Sequence, residues 1–415
     1  MEKLIYKNDN GKCYFTFQRD SFKNINVSSV FIRAIKYNIK HEVKQVYIDF
    51  SEVRGGYPNL FVSIAGLLKL FKKEFDVFEI TPKTPNFQSL KSALVPIVKK
   101  RGGKLKSLLN RVFEFTSDEE VEYYSNRIVN ELSRELDFAE GTLVGFSWCV
   151  NEIMDNVLNH SDVEKGFIFT QIHKNKSSIV VSIYDTGQGM YNSLKHSNHA
   201  PKNNLDAITM SIKKGVTRDI KFGQGNGLWG LSSITINNGG AFTITSGSNS
   251  LNVSHNDYDG KEHVSRHFDK IPYPNKNHRT TLVNFTLRYD KDIDLYSILD
   301  DYEPFEAFQR EIELHEGDDG VLCYNISEIA HGTGTRQSGK KLRNYIINIL
   351  KTSKQKVILD FNDVSVMTSS FADEFLGKAV NILGFVRYNE YVQLQNCNPL
   401  ISEIINKAII DRMRS

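Results

Sequence analysis

A chain of 415 residues, 40% hydrophobic and 24% charged, has material for more than one buried core and for two or three domains of ordinary size. A formal net charge of +3 is too mild to argue for nucleic acid. Four cysteines (Cys13, Cys149, Cys323, Cys397), far apart and without a C-x-x-C pair, argue against a disulfide framework or a cysteine-rich metal site.

The opening stretch MEKLIYKNDNGKCYF has no apolar core of signal-peptide type. CYFTFQ then reads as a strand, FKNINVSSVFIRAIKYNIK as a helix and VKQVYIDF (43–50) as a second strand. After the turn RGGYPN comes the longest apolar run, NLFVSIAGLLKLF (59–71). It is shorter than the roughly 20 helical residues that span a bilayer, so it is read as a buried helix. The expectation is a cytoplasmic protein with reduced thiols and no membrane partner. A basic run, KKRGGKLKSLLNR (99–111), closes this segment and reads as a solvated face or linker.

The middle segment opens with TSDEEVEYYSNRIVNELSREL, where Thr116 or Ser117 can cap a helix with acidic residues in its first turn. A second helix, GTLVGFSWCVNEIMDNVLNH, follows. GFIFTQIHK and SSIVVSIYD alternate and are joined by a polar turn, which predicts a hairpin. GQGNGLWGLSSITINNGGAFTITS predicts a glycine loop, a helix, a turn at Gly239-Gly240 and a strand, and TTLVNFTLRYD a closing strand near 290. The third segment repeats the rhythm of the first: strand GVLCYNIS, helix SGKKLRNYIINILKTS, strand KVILDF, then helices SSFADEFLGKAVNIL and NPLISEIINKAII. VYIDFSEV (46–53) is echoed by VILDFNDV (357–364), which suggests that the flanking segments share a fold. The predicted division is 1–115, 116–290 and 291–415.

Three motifs carry chemistry. Glu152 and Asn156 lie four apart, on one helical face, where a carboxylate beside a carboxamide suits Mg²⁺ chemistry. In YDTGQGM (184–190), Asp185 ends an apolar strand and precedes Gly187 and Gly189. A carboxylate there can accept a hydrogen bond from an exocyclic amine such as that of adenine. In GQGNGLWGL (223–231), glycines that include Gly225 and Gly227 lead into a helix, whose free N–H groups suit phosphate. No G-K-[ST] follows, so this is not a Walker loop. His263 with His267, and His196 with His199, have helix-compatible metal spacings, but both pairs lie in polar excursions without cysteines and are read as solvated loops. Arg218 and Arg336 are read as surface arginines.

In this order the three motifs resemble the GHKL ATP-binding family over residues 117 to 290. The resemblance implies an α/β sandwich (Bergerat fold) flanked by two smaller α/β domains. By that resemblance Asn156 completes the Mg²⁺ shell, Asp185 reads the adenine amine, Gly187 and Gly189 floor the adenine pocket, and Gly225 and Gly227 cover the phosphates. Thr281 lies near the adenine pocket, with Thr280 where the family has glycine. Residues 191–222 would form a lid, and Glu152 would be the general base. The helices from 117 to 160 hold no histidine before His160, which points away from histidine kinases, whereas Glu152 followed by Asn156 and His160 resembles the anti-sigma-factor serine kinases and also fits ATPases that activate water.

LDFNDVSVMTSSFADEFLG (359–377), with GTRQSG (334–339), is similar to STAS-like modules related to anti-sigma-factor antagonists. That similarity makes Ser370, then Ser369, the candidate phosphoacceptor, although TSSF stands where the antagonists have D-S-S-G. A helix N-cap is the simpler role for this pair. The expected function is Mg²⁺-dependent ATP binding with slow hydrolysis, coupled to conformational switching and to protein partners through the STAS-like segment, with homodimerisation open. The alternatives are a serine kinase acting on a STAS domain in cis or trans, and a non-catalytic ATP-gated interaction module.

Overall fold

The computed structural model describes residues 4–23, 26–81, 107–160, 165–216, 226–247, 249–256, 261–268, 279–299, 309–317, 319–330 and 332–414. The chain divides into two units, Met1–Ser125 with Cys149–Arg288, and Asn126–Trp148 with Tyr289–Ser415. It is a mixed α/β protein, and the described residues form three sheets. Among the described residues no helix is long and apolar enough to cross a membrane.

The first unit begins with a hairpin, β1 (Leu4–Asp9) and β2 (Lys12–Phe17). Its turn is Asn10-Gly11, both at positive φ, the conformation that a two-residue hairpin requires. α1 (Asn26–Lys40) leads to β3 (Gln45–Asp49), and α2 (Pro58–Phe71) leads to β4 (Val77–Thr81). The sheet order is β1-β2-β3-β4, with β2, β3 and β4 parallel, as helical crossovers between successive strands dictate.

The second sheet has the order β10-β9-β8-β11-β7-β6-β5, antiparallel throughout. Its strands are β5 (Val112–Phe115), β6 (Gly166–His173), β7 (Ser178–Asp185), β8 (Ala241–Ser246), β9 (Asn249–Asn256), β10 (Lys261–Phe268) and β11 (Thr281–Arg288). Antiparallel sheets commonly leave one face wet, yet β7 is buried along its whole length. The cause lies in α2, which packs on β6 and β7 and is itself buried on nearly every side. The rings of Phe61 and Phe169 stack at 5.2 Å, and Phe167, Tyr184 and Leu282 join the core of the N-terminal sheet. Tyr184 faces α2, so its neighbour Asp185 faces the opposite side of the sheet.

Two long helices follow β5. α3 (Asp118–Glu135) is capped by Ser117, whose Oγ accepts from Glu120 N, while Glu120 reaches back to the amide and hydroxyl of Thr116. α4 (Thr142–His160) carries Glu152 and Asn156. α5 (Gly189–Leu194), α6 (Asn204–Ser211) and α7 (Gly227–Asn237) come later, and α6 and α7 pack on β8 and β9.

In the second unit β12 (Leu322–Asn325), β13 (Val357–Asp360) and β14 (Val392–Gln395) form a parallel sheet in that order. α8 (Arg336–Ser353) joins β12 to β13. α9 follows, a helix in which Ser369–Ala372 and Lys378–Leu383 flank a π turn, Asp373–Gly377, and α10 (Pro399–Arg414) ends the unit. The sequence echo has a structural counterpart. β3 and β13 are each the middle of three parallel strands, and each ends in an aspartate whose Oδ1 accepts the amide two residues on, Ser51 N at 2.8 Å and Asn362 N at 2.9 Å.

Candidate functional site

On α4, Glu152 is half-buried, and desolvation followed by the nearby charge of Asp155 pushes its carboxyl up to about 7. Cys149, one turn earlier, is fully buried, and burial raises its pKa well above the ordinary thiol value, so it is held as the thiol. The Asn156 Nδ2 is buried without a hydrogen-bond partner among the described residues. The first residue of α7 sits directly over this pair. A Cβ on Gly227 would lie 2.6 Å from Glu152 Oε2 and 3.0 Å from Asn156 Nδ2, so a side chain there would displace the ends of this pair. The N-cap residue Asn226 makes no side-chain cap, which leaves the first N–H groups of α7 without that partner.

A second cluster forms where β7 ends and β11 begins. Asp185 is 4% exposed and pairs across the sheet with Thr281 on one side and Gly166 on the other. Burial pushes its carboxyl up to about 7, against the opposing effect of hydrogen bonds from the Gly187 amide and from the side chain and amide of Thr281. The Gly187 amide reaches Asp185 Oδ1 at 2.8 Å. Gly189 opens α5 at a φ of 72°, and a Cβ there would lie 2.8 Å from Arg279 Cβ and 2.9 Å from Ser246 Oγ. Thr280 has a φ of 55°, the left-handed region that glycine favours. Three bonds hold it there: its amide donates to Gly187 O at 3.0 Å, its carbonyl accepts from Ser246 Oγ at 3.1 Å, and its side chain bonds Tyr184.

The structure thus gathers Glu152, Asn156 and Gly227 in one group and Asp185, Gly187, Gly189 and Thr281 in another. α7, which starts at Gly227, packs on β8 and β11, the strands that bear Ser246 and Thr281. Gly225 and Arg218 lie outside the described residues. The 191–216 part of the expected lid includes α6, whose Ala207 and Ile208 are buried against the sheet, and 217–222 lie outside the described residues. His263 and His267 belong to β10. Four residues along a strand span about 13 Å, so the spacing that would align them on a helix separates them here. Among the described residues no three His, Cys, Asp or Glu side chains gather as a metal centre. Sequence reasoning missed Ser246 and Arg279, and placed Tyr191 only at the start of the expected lid. Arg279 donates to Asn204 Oδ1 at 2.8 Å and lies over the Tyr191 ring at 5.2 Å. Its place just before the closing strand was the available signal.

In the second unit, the N-cap of α9 is Thr368, whose side chain accepts from Phe371 N, and not Ser369 or Ser370. Both serines are exposed in the first turn. Arg336, read as a surface residue, is exposed but lies within salt-bridge distance of Asp373 and Glu374.

Residues 338–400 match a family model described as a STAS-like domain of unknown function (DUF4325), so the chain carries a STAS-like domain near its C-terminal end. Comparison with the curated proteins found no match. Among solved structures, one match is the crystal structure of full-length ShkA in complex with AMPPNP, 12% identical, covering 84% of this chain. The chain spans 62% of the length of that protein, and at a TM-score of 0.20 the likeness carries no argument.

Proposed function

We propose that the first unit is a GHKL-type domain that binds an adenine nucleotide with Mg²⁺ and hydrolyses it slowly, and that the STAS-like domain meets a protein partner. The observation that supports this reading is the seating of Gly227, the first residue of α7, on Glu152 and Asn156, two motifs far apart in sequence. The residues fit such a ligand. Asn156 is half-buried and brings to the site an amide whose buried Nδ2 has no partner among the described residues, and rotation of that amide presents Oδ1, a hard oxygen ligand. Mg²⁺, when bound, would supply positive charge beside the phosphates.

The chain's own groups do the rest. The first turn of α7 favours phosphate through its N–H groups and dipole. Asp185 accepts a hydrogen bond from the exocyclic amine and excludes water from that end of the site. Glu152, with a carboxyl near 7, takes a proton onto its carboxylate from the attacking water. Calorimetry and phosphate release test the assignment: Asn156→Ala loses nucleotide binding, and Glu152→Ala binds without turnover. Normal hydrolysis by both variants would reject it. Binding by the wild type without phosphate release would support the non-catalytic switch.

A serine kinase is the second reading, supported by the exposed Ser370 hydroxyl at a helix start, where phosphate is electrostatically favoured. Incubation with γ-labelled ATP separates the two. Label mapped to Ser370 favours the kinase, and free phosphate alone favours the ATPase.

A further inference from the structure

We propose that Asn348 is a positioning residue for the nucleotide site: from within the STAS-like domain it holds the hairpin between α3 and α4, and α4 carries Glu152 and Asn156. The functional half of this inference rests on the nucleotide-site reading above.

Asn348 lies in the middle of α8 and is 1% exposed. Asparagine is a weak helix former, and a buried carboxamide is unfavourable unless its hydrogen bonds are met. Here they are met by the hairpin. Nδ2 donates to Ser133 O at 2.8 Å and to Leu136 O at 3.0 Å, and Oδ1 accepts from Phe138 N at 3.1 Å. One side chain thus satisfies two carbonyls at the C-terminal end of α3, groups that a helix leaves without intrahelical partners, and fixes the first residues of the turn beyond.

Neighbouring residues of the same domain reinforce the hold. Lys351 donates to Phe138 O at 2.7 Å and to Asp137 Oδ1 at 2.9 Å. Lys341 pairs with Glu135, and Arg134 lies over the Tyr345 ring at 4.1 Å. The other side of the hairpin is tied as firmly, since Thr142 Oγ1 donates to Lys291 O at 2.6 Å and Glu140 N to Asp292 Oδ1 at 3.0 Å. Thr142 is the first residue of α4, and the helix runs unbroken from there through Glu152 and Asn156. At 1.5 Å per residue Glu152 is about 15 Å along that rod, which is short enough for a shift at its start to move the carboxylate.

The test uses the full chain. Asn348→Leu removes all three hydrogen bonds at similar volume. Lys351→Met, a milder change on the same hairpin, serves should the first variant fold poorly. Ile405→Ala is the control, a buried truncation elsewhere in the second unit. Hydrogen exchange read by mass spectrometry is expected to rise about tenfold at 133–138 and also at 149–156 in the hairpin variants, and affinity for ATP to fall about tenfold. The control, compared at matched loss of melting temperature, is expected to keep ATP affinity within about twofold. Unchanged exchange at 149–156 in the hairpin variants, or an equal change in the control, overturns the proposal. If the wild-type chain binds no ATP, the nucleotide reading fails by itself, and the exchange data still decide whether Asn348 holds α4.

Discussion

Thr280 has a φ of 55°, where a β-branched residue carries a strain on the order of 1–3 kcal/mol. Its bonds to Gly187, Ser246 and Tyr184 over-determine that conformation. Thr280→Gly and Thr280→Ala both lose the side-chain bond, but only glycine relieves the backbone. Urea denaturation is therefore expected to find the glycine variant more stable than the alanine variant by about 1 kcal/mol. Equal stabilities would show that no strain is stored there. The raised carboxyls of Asp185 and Glu152, together with that of Asp155, which desolvation and the charge of Asp118 push up to about 6, give a second expectation. Asp185 and Glu152 hold protons up to about 7 in the folded chain, whereas the unfolded chain releases them in the ordinary carboxylate range. Across that window the native state binds more protons, so stability falls as pH rises. The melting temperature of the nucleotide-free chain is expected to drop between about pH 5 and about pH 7.5, and Asp185→Asn to flatten part of the slope. A variant with the wild-type slope would remove Asp185 from that account.

At the level of elements, the contact between α7 and α4 makes Gly227 the position to disturb. The atoms that an added methyl would meet are ends of side chains, so the fold can yield while the site cannot. Gly227→Ala is expected to melt near the wild-type temperature and to bind ATP about tenfold more weakly by calorimetry. Undiminished binding would mean that this contact has no part in the site. The pieces of this candidate site were legible in the sequence because their patterns are long: α4 holds a helical period over its 19 residues, and β7 is a largely apolar run of eight. What escaped was short or polar. β5 and β14 have four residues each and β4 five, with too few positions to show a pattern, although the equally short β12 and β13 are legible from their apolar runs, and β9 and β10 carry too many polar side chains to read as strands. β1 was legible in principle, because Asn10-Gly11 is a strong hairpin signal. The π turn at Asp373–Gly377 had no such signal. It holds Glu374 against Arg343 at 2.6 Å, a pairing across 31 residues that local pattern cannot carry.

For the whole molecule, the division into units runs through α3 and α4 and not between consecutive stretches of chain. Sequence patterns report which residues are apolar, not which distant segment covers them, so this partition was not legible. A fragment of residues 291–415 alone would leave Asn348 and Tyr345 without the hairpin groups they meet in the second unit. It is expected to melt at a lower temperature than the same fragment joined to 126–148, as followed by circular dichroism. Coincident melting curves would show that the hairpin adds nothing. Likewise, removal of residues 1–81 strips α2 from the sheet and uncovers Phe167, Phe169 and Tyr184. Aggregation of that truncated chain is the expected outcome, read by light scattering, and a monodisperse product would contradict it.

Ser133 and Asn348 are separated by 215 residues. A ribosome that adds about 5–20 residues per second delivers the asparagine on the order of ten seconds or more after the serine. Through that interval the nascent α3–α4 hairpin keeps its carbonyls in water or lends them to chaperones. On the inference proposed above, the candidate site of a newborn chain gains its last support late, from a segment made long after the site's own residues.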